Sequence, residues 1–373
     1  MLVNGTPHRT IWPLENRFEI AIIDQTRLPH FFDIKALTSL EDCVKAIKTM
    51  QVRGAPLIGV AGAYGLCLAM RQNSSDSGLK RAYELLLNTR PTAVNLRWAL
   101  DKAYAQLIHE PTEVRCDRAL AIANEIADAD VETNYRLGQH ALEKFQQLYQ
   151  KKQSTLNILT HCNAGWLATV DWGTALSGVF QAHRAGIPVH VWVDETRPRN
   201  QGAFLTAWEL QQEGIPYTVI ADNTGGHLMQ RGYVDCCIVG TDRTTRSGDV
   251  CNKIGTYLKA LAAYDNAIPF FVAAPSSSID WTLENGAEIP IEERDSREVS
   301  TLRGMFSGEL IDIDLLPPKT PVKNYAFDVT PAKYITSLIT ERGACAASSN
   351  GLFSLFPEYK DFNHAKSMVS TSS

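Results

Sequence analysis

The feature that most limits what this chain can fold into is a set of short, largely apolar runs spaced through its second half. They are Thr155 to Leu159, Val189 to Val193, Tyr217 to Ile220, Cys236 to Val239 and Pro269 to Ala273, separated by segments of helical periodicity. A strand that alternates apolar and polar residues buries one face, whereas a run of this kind suits a strand covered on both. Gly186-Ile187-Pro188 and Gly214-Ile215-Pro216 end the helices ahead of two of the runs, because glycine closes a helix and proline does not continue it. This strand-helix grammar predicts an α/β chain whose second part is a Rossmann-like, doubly wound parallel sheet. A strand around Asn324 to Asp328 and a helix from Pro331 to Arg342 are expected to extend it.

The first 150 residues read differently. Extended segments around Ile11, Phe18 to Ile23 and Phe31 to Ile34, broken by Pro13 and Pro29, predict a small β-meander. Helical periodicity begins at Ser39, with Asp42 at the N3 position of a capping pair, and continues with breaks to about Gln150. Arg53-Gly54-Ala55-Pro56 and Arg90-Pro91-Thr92 each stop one helix and start the next, which sets an arginine just before a helix start. Ala55 to Met70 carries no charge but is shorter than the roughly 20 residues a spanning helix needs, so it reads as a buried helix. Gly59, Gly62 and Gly65 would give it a bare stripe for close packing. Polar Lys151 to Ser154 mark the expected boundary. The organisation is thus a smaller N-terminal domain of β-meander plus helices (1–150), a Rossmann-like catalytic domain (151–345) and a poorly ordered C-terminal tail (346–373).

At 373 residues the chain exceeds what one core usually serves, in keeping with two domains. Its net charge of -5 lacks the basic excess that nucleic acid binding requires. Met1 to Arg17 shows no signal-peptide pattern. The eight cysteines form no C-x-x-C pair, so a reducing, cytoplasmic setting is expected. The nine histidines fall into no zinc-binding pattern, and no metal is expected.

In an open parallel sheet, ligands bind beyond the carboxyl ends of the strands. Those ends carry His161-Cys162-Asn163-Ala164-Gly165, Asp194-Glu195-Thr196-Arg197, Asp222-Asn223 and Gly240-Thr241-Asp242-Arg243. A thiol, several carboxylates and two arginines would face a polar ligand there. The turn after the first strand holds no G-x-G-x-x-G, and no Walker lysine motif is present, so neither a dinucleotide nor another cofactor is expected. Free cysteines usually just pack, as Cys43, Cys67, Cys236 and Cys237 are expected to do. Cys162 stands apart, in a glycine-containing loop whose backbone amides would lower its thiol pKa. Asp242 has a plain alternative in pairing with Arg243.

With these blocks assembled, the chain resembles the methylthioribose-1-phosphate isomerases, of the superfamily shared with regulatory subunits of the translation-initiation exchange factor. The resemblance runs from Val52-Arg53-Gly54-Ala55-Pro56 to Asp328-Val329-Thr330-Pro331. It is most specific at Thr160 to Gly165, Asp194 to Pro198 with Gln201-Gly202-Ala203, Gly240 to Arg243, Asn252 to Thr256, Ala274 to Ser277 and Ile291 to Arg294. It implies catalytic roles for Cys162 and Asp242, and substrate contacts from Arg53, Gly54, Ala55, Arg90, Gln201, Asn252 and Lys253. It further implies a homodimer and the aldose-to-ketose conversion of a small sugar phosphate, 5-methylthioribose 1-phosphate, in methionine salvage. The turn Asp222-Asn223-Thr224-Gly225-Gly226-His227 and Thr241 depart from the family pattern. If that turn touches the sugar's 5-substituent, 5-deoxyribose 1-phosphate becomes an alternative substrate; ribose 1,5-bisphosphate is a third candidate, which would call for a further cation for its second phosphate. The non-enzymatic alternative is a regulatory subunit that keeps the fold alone.

Overall fold

The computed structural model describes residues 1–15, 19–90 and 92–360. A hairpin of β1 (Leu2–Val3) and β2 (Thr6–Pro7) precedes an antiparallel meander of β3 (Ile11–Pro13), β4 (Ile20–Ile23) and β5 (Ile34–Leu37). Phe18 and Pro91, both part of the sequence expectations, lie outside the described residues. Helices α1 (Leu40–Lys48), α2 (Ala55–Gln72), α3 (Asp76–Leu87), α4 (Val94–Leu107) and α5 (Arg115–Lys152) follow. At the start of α1 the Asp42 amide donates to the Ser39 hydroxyl, 3.1 Å, while the Asp42 carboxylate reaches past the cap to the Thr38 amide, 3.0 Å.

The uncharged part of α2, Ala55 to Met70, is buried at every position, as its composition predicts. Its glycines set how closely neighbours approach. A Cβ on Gly59 would lie 2.8 Å from the Asn95 carbonyl oxygen, and one on Gly62 would lie 2.6 Å from Leu96 Cδ1, so α4 rests on bare backbone. The 38-residue α5 spans about 57 Å at 1.5 Å per residue. Up to Val131 its apolar side chains pack with α1 to α4, and from Leu137 through Phe145 they join the core beneath the main sheet. The polar cluster at Lys151 to Ser154 therefore marks the helix end, while the change of packing partner falls inside the helix. Among the described residues no helix is long and apolar enough to cross a membrane.

The second half alternates as predicted through β6 (Leu156–Thr160), α6 (Ala175–Arg184), β7 (Val189–Asp194), α7 (Ala207–Gln212), β8 (Tyr217–Ile220), α8 (Thr224–Gln230) and β9 (Cys236–Val239). Short strands β10 (Arg243–Thr245) and β11 (Val250–Lys253) lead into α9 (Thr256–Asp265) and β12 (Phe270–Ala273). Then come β13 (Ile279–Asp280), α10 (Arg297–Ser300), a hairpin of β14 (Thr301–Phe306) and β15 (Glu309–Asp314), and β16 (Phe327–Thr330). The chain closes with β17 (Ser337–Thr340), β18 (Gly343–Cys345) and α11 (Ser349–Leu355). The main sheet has the order β18-β17-β12-β9-β6-β7-β8 and is parallel except for β18. From β6 the chain winds outward to β7 and β8 on one side; on the other lie β9, β12 and β17. The order thus reverses between β6 and β9, and the crevice that doubly wound sheets offer to ligands opens there.

Three expectations for the C-terminal part are corrected. The strand near Asn324 to Asp328 is β16, and it extends a separate four-stranded sheet, β13-β10-β11-β16, not the parallel one. The helix expected over Pro331 to Arg342 is a single 3-10 turn followed by β17, which pairs in parallel with β12 (Phe271 opposite Ser337). Ser-Leu-Ile-Thr is a fully buried run, and burial beside β12 outweighs the helix start suggested by Pro331. Finally, residues 346–360 are not a frayed tail: Leu352 and Phe356 are fully buried and Tyr359 stacks on Trp281 at 4.2 Å. The remainder of the expected tail, 361–373, lies outside the described residues.

Candidate active site at the sheet switch point

Cys162 follows β6 and Asp242 follows β9, so the two expected catalytic residues flank the switch point directly. Cys162 holds a left-handed backbone, φ +64°, and so does Thr196 at the end of β7, φ +64°. Non-glycine residues adopt this region when surroundings over-determine it, often at functional sites. Here the Cys162 amide donates to the Thr196 hydroxyl, 2.8 Å, and the Cys162 carbonyl accepts from the Thr206 hydroxyl, 2.7 Å. The buried thiol donates to Gln201 Oε1, 3.3 Å.

Gln201 precedes a π-helical turn, Gly202–Thr206, that runs into α7. Such turns widen a helix locally and recur at functional sites. This one lets Gln201, Thr206 and Glu209 all touch the loop after β6. Gly202 is required there, since a Cβ would fall 1.7 Å from the Asp194 carbonyl oxygen.

Arg53 is buried before α2 and grips Asn163 with both terminal nitrogens: one to the side-chain oxygen, the other to the carbonyl at 2.8 Å. Gly54 caps α2 with φ +96°, and a Cβ there would meet Ala168 backbone at 2.5 Å. Arg53 and Gln201 open onto a cleft of about 1010 Å³ with Met50, Phe204, Arg297 and Leu302. Ala55, Arg90 and Asp242 line a second, much tighter pocket with Thr92 and Phe327. Arg90 pairs with Glu292, 2.9 Å. Asn252 and Lys253 end β11; Asn252 Nδ2 donates to Thr256 Oγ1, 3.0 Å, and Lys253 Nζ donates to the Ala326 carbonyl, 3.1 Å.

The expected residues are electrically one group. Burial pushes the Asp242 carboxyl above the usual carboxylate range, with Lys253, Arg90 and Arg53 pulling against it. Burial also pushes the Cys162 thiol up, opposed by Arg53 and Lys253 and reinforced by Asp242. The expectation of a thiol lowered by loop amides is therefore corrected: the Asn163 amide contributes least, and loss of water dominates. Of the strand-end arginines, Arg197 lines neither cavity and donates to the Val299 carbonyl, whereas Arg243 lines the smaller one beside Asp242 while donating to the Thr92 carbonyl. The Asp222 turn lines neither cavity. Its carboxylate accepts from the Thr196 and Arg197 amides, 2.7 and 2.8 Å.

His161, Asp194 and Asp222 place ligand atoms within 4.8 Å of one another. A protein cation already serves Asp194, since Lys259 Nζ lies 3.2 Å from its Oδ2, and the same nitrogen donates to the Asp222 backbone carbonyl. Cys43, Cys67, Cys236 and Cys237 are buried as expected, and burial pushes the first two thiols to about 12.

A doubly wound sheet with an acid and a thiol facing one switch point is the architecture of an α/β enzyme. Residues 51–347 match the initiation factor 2 subunit family, and the chain belongs to that family. Among its curated relatives, the methylthioribose-1-phosphate isomerase of Paramagnetospirillum magneticum is 59% identical over 360 residues, covering 96% of this chain and 99% of that one. The Escherichia coli O45:K1 protein of the same name is 58% identical over 363 residues, covering 96% and 98%. Of solved structures, 5-methylthioribose 1-phosphate isomerase from Pyrococcus horikoshii superposes with a TM-score of 0.81 at 41% identity, covering 94% and 96%. The delta subunit of translation initiation factor eIF-2B from A. fulgidus gives 0.77 at 37%, covering 94% and 100%.

Proposed function

We propose that this chain is an aldose-ketose isomerase that converts 5-methylthioribose 1-phosphate to 5-methylthioribulose 1-phosphate, with Cys162 and Asp242 as the catalytic pair. The observation that carries the reading is their placement just past the ends of the two strands of the switch point, with Arg53 and Lys253 acting electrostatically on both. Arginine forks and the amides at the start of α2 suit a phosphate. Asp242, whose carboxyl burial pushes up against the pull of Lys253, Arg90 and Arg53, gives a proton to the ring oxygen as the C1–O bond opens. The Cys162 sulfur takes the proton from C2 in its thiolate form, which Arg53 and Lys253 favour. Return of a proton to C1, as the C2 hydroxyl gives up its own, completes the ketose. Hydride transfer from C2 to C1 is the competing route.

The larger cleft offers Leu28, Met50, Phe204, Leu205 and Leu302 beside Arg53 and Gln201, an apolar wall suited to a methylthio group. Two of its cations, Arg199 and Arg303, are paired with Glu298 and Asp312 at 2.9 and 2.8 Å, which leaves less for the second phosphate of ribose 1,5-bisphosphate. The regulatory-subunit alternative has no chemical use for the Cys162 and Asp242 pair. Turnover of the purified chain should therefore rank the methylthio sugar above 5-deoxyribose 1-phosphate and the bisphosphate. Cys162→Ser and Asp242→Asn should each lower kcat by about a hundredfold to ten-thousandfold without unfolding the protein. Near-normal turnover in both variants would sink the assignment. Solvent deuterium at C1 of the product marks proton transfer, and full retention of the C2 hydrogen marks hydride transfer. The proposal carries a cytoplasmic homodimer with it. Exposed Met305, Phe306, Ile313 and Leu315 on and beside the β14–β15 hairpin support association, and sedimentation at micromolar concentration reads it out.

A further inference from the structure

Glu209 is fully buried in α7, beside the catalytic loop. Its Oε1 accepts from Asn163 Nδ2, 2.8 Å, and from the Leu167 amide, 3.1 Å; its Oε2 accepts from the Trp166 amide, 2.8 Å. The loop wraps it so tightly that a Cβ on Gly165 would lie 1.8 Å from Oε2. Asn163 Nδ2 donates also to Thr206 Oγ1, 3.1 Å. With both amide protons committed, only Asn163 Oδ1 faces the Arg53 guanidinium, and the Asn163 carbonyl takes its other terminal nitrogen. A flipped amide would set donor against donor.

We propose that Glu209 is a positioning residue: by fixing the Asn163 side chain it aims the buried Arg53 guanidinium into the crevice beside Cys162. Its effect on substrate rests on the isomerase reading; its effect on Cys162 does not. The charged group facing Glu209 is Arg53, from the loop before α2, while the other polar partners from the loop after β6 and from the π turn are neutral. Burial pushes the Glu209 carboxyl to about 7. The carboxylate form accepts all three N–H groups, whereas the protonated form presents a hydrogen to one of them. The aimed state of Arg53 is thus the one present above about pH 7.

The test compares the full chain with Glu209→Gln, Asn163→Leu, Arg53→Met and the Glu209→Gln/Arg53→Met double variant. The first readout is the pH dependence of Cys162 alkylation by iodoacetamide, resolved by peptide mass spectrometry. Arg53 favours the Cys162 thiolate, so misaiming it should shift the Cys162 titration upward in Glu209→Gln and in Asn163→Leu. Removing a nearby negative charge by direct electrostatics alone would shift it downward. In the Arg53→Met background, Glu209→Gln should add nothing. The second readout is turnover: Glu209→Gln should raise KM about tenfold, equivalent to one charge-assisted hydrogen bond, with a smaller change in kcat, and the acid limb near pH 7 should disappear. A folded Glu209→Gln with an unshifted or downward-shifted Cys162 titration overturns the proposal, as does an effect that adds in full to that of Arg53→Met. If Glu209→Gln does not fold, Asn163→Leu decides, because it leaves Glu209 and both loop amides in place. If wild-type protein turns over none of the three sugars, the isomerase reading fails while the alkylation arm still judges Glu209.

Discussion

Buried acids make this protein's stability depend on pH in a direction that can be worked out residue by residue. Asp130 in α5 accepts from the Val170 amide, 2.7 Å, and from Asn134 Nδ2, 3.0 Å, yet burial still pushes its carboxyl from 3.8 to about 7. The folded protein thus holds a proton that the unfolded chain releases, and stability contributed by this group is complete below 3.8 and lost as pH rises through about 7. His8 and His190, lowered by burial, act in the opposite sense. Denaturant unfolding at pH 5.5 and 8 should therefore show Asp130→Asn losing less stability with rising pH than wild type. Strand-end position brought Cys162 and Asp242 forward as candidates, because ligands gather past the carboxyl ends of parallel strands, and the resemblance then singled them out. Glu209 was not legible: inside Phe204 to Leu210 it reads as a lone exposed acid on a helix. Only the π turn rotates it under the loop. Arg197 misled for a related reason, as its partner Val299 lies 102 residues away.

At the scale of elements, the glycine stripe of α2 separates two kinds of close approach. Gly59→Ala would push a methyl against the Asn95 carbonyl, part of the α4 backbone, which cannot yield without moving that helix. Gly62→Ala meets the tip of the Leu96 side chain, which can turn. Overpacking of about 1–3 kcal/mol should dominate the first, while a gain in helix propensity of about 1 kcal/mol offsets much of the second. Chemical denaturation should rank Gly59→Ala well below Gly62→Ala, and equal values would contradict this packing account. The five strands β6, β7, β8, β9 and β12 were readable within a residue or so; β6, β9 and β12 are buried almost throughout, which leaves little choice of composition, while the edge strand β8 is partly exposed. The segment from Pro331 to Arg342 was not readable, since a proline followed by a short apolar run suits a helix start and an edge-side strand equally. What decides is the vacant edge of β12, a partner some 60 residues upstream (Phe271 opposite Ser337).

Over the whole molecule, the last described segment acts as a clasp. Phe356 is fully buried and, with Phe353 and Tyr359, surrounds Trp281, itself next to β13 in the smaller sheet. Phe356→Ala should cost about 3–5 kcal/mol, read as a lowered denaturation midpoint; a change under about 1 kcal/mol would mean the segment only rests on the surface. Composition placed a domain boundary at residue 150, and the sequence does change character there. What it could not show is that α5 serves two cores, because each half of that helix has an ordinary apolar stripe and nothing local names its partner. That shared helix bears on how the protein can move. It contains no proline, and its one glycine, Gly138, is pressed against Ser177. The two cores are thus joined by one unbroken, packed helix, and bending it at that junction would cost its continuous run of backbone hydrogen bonds.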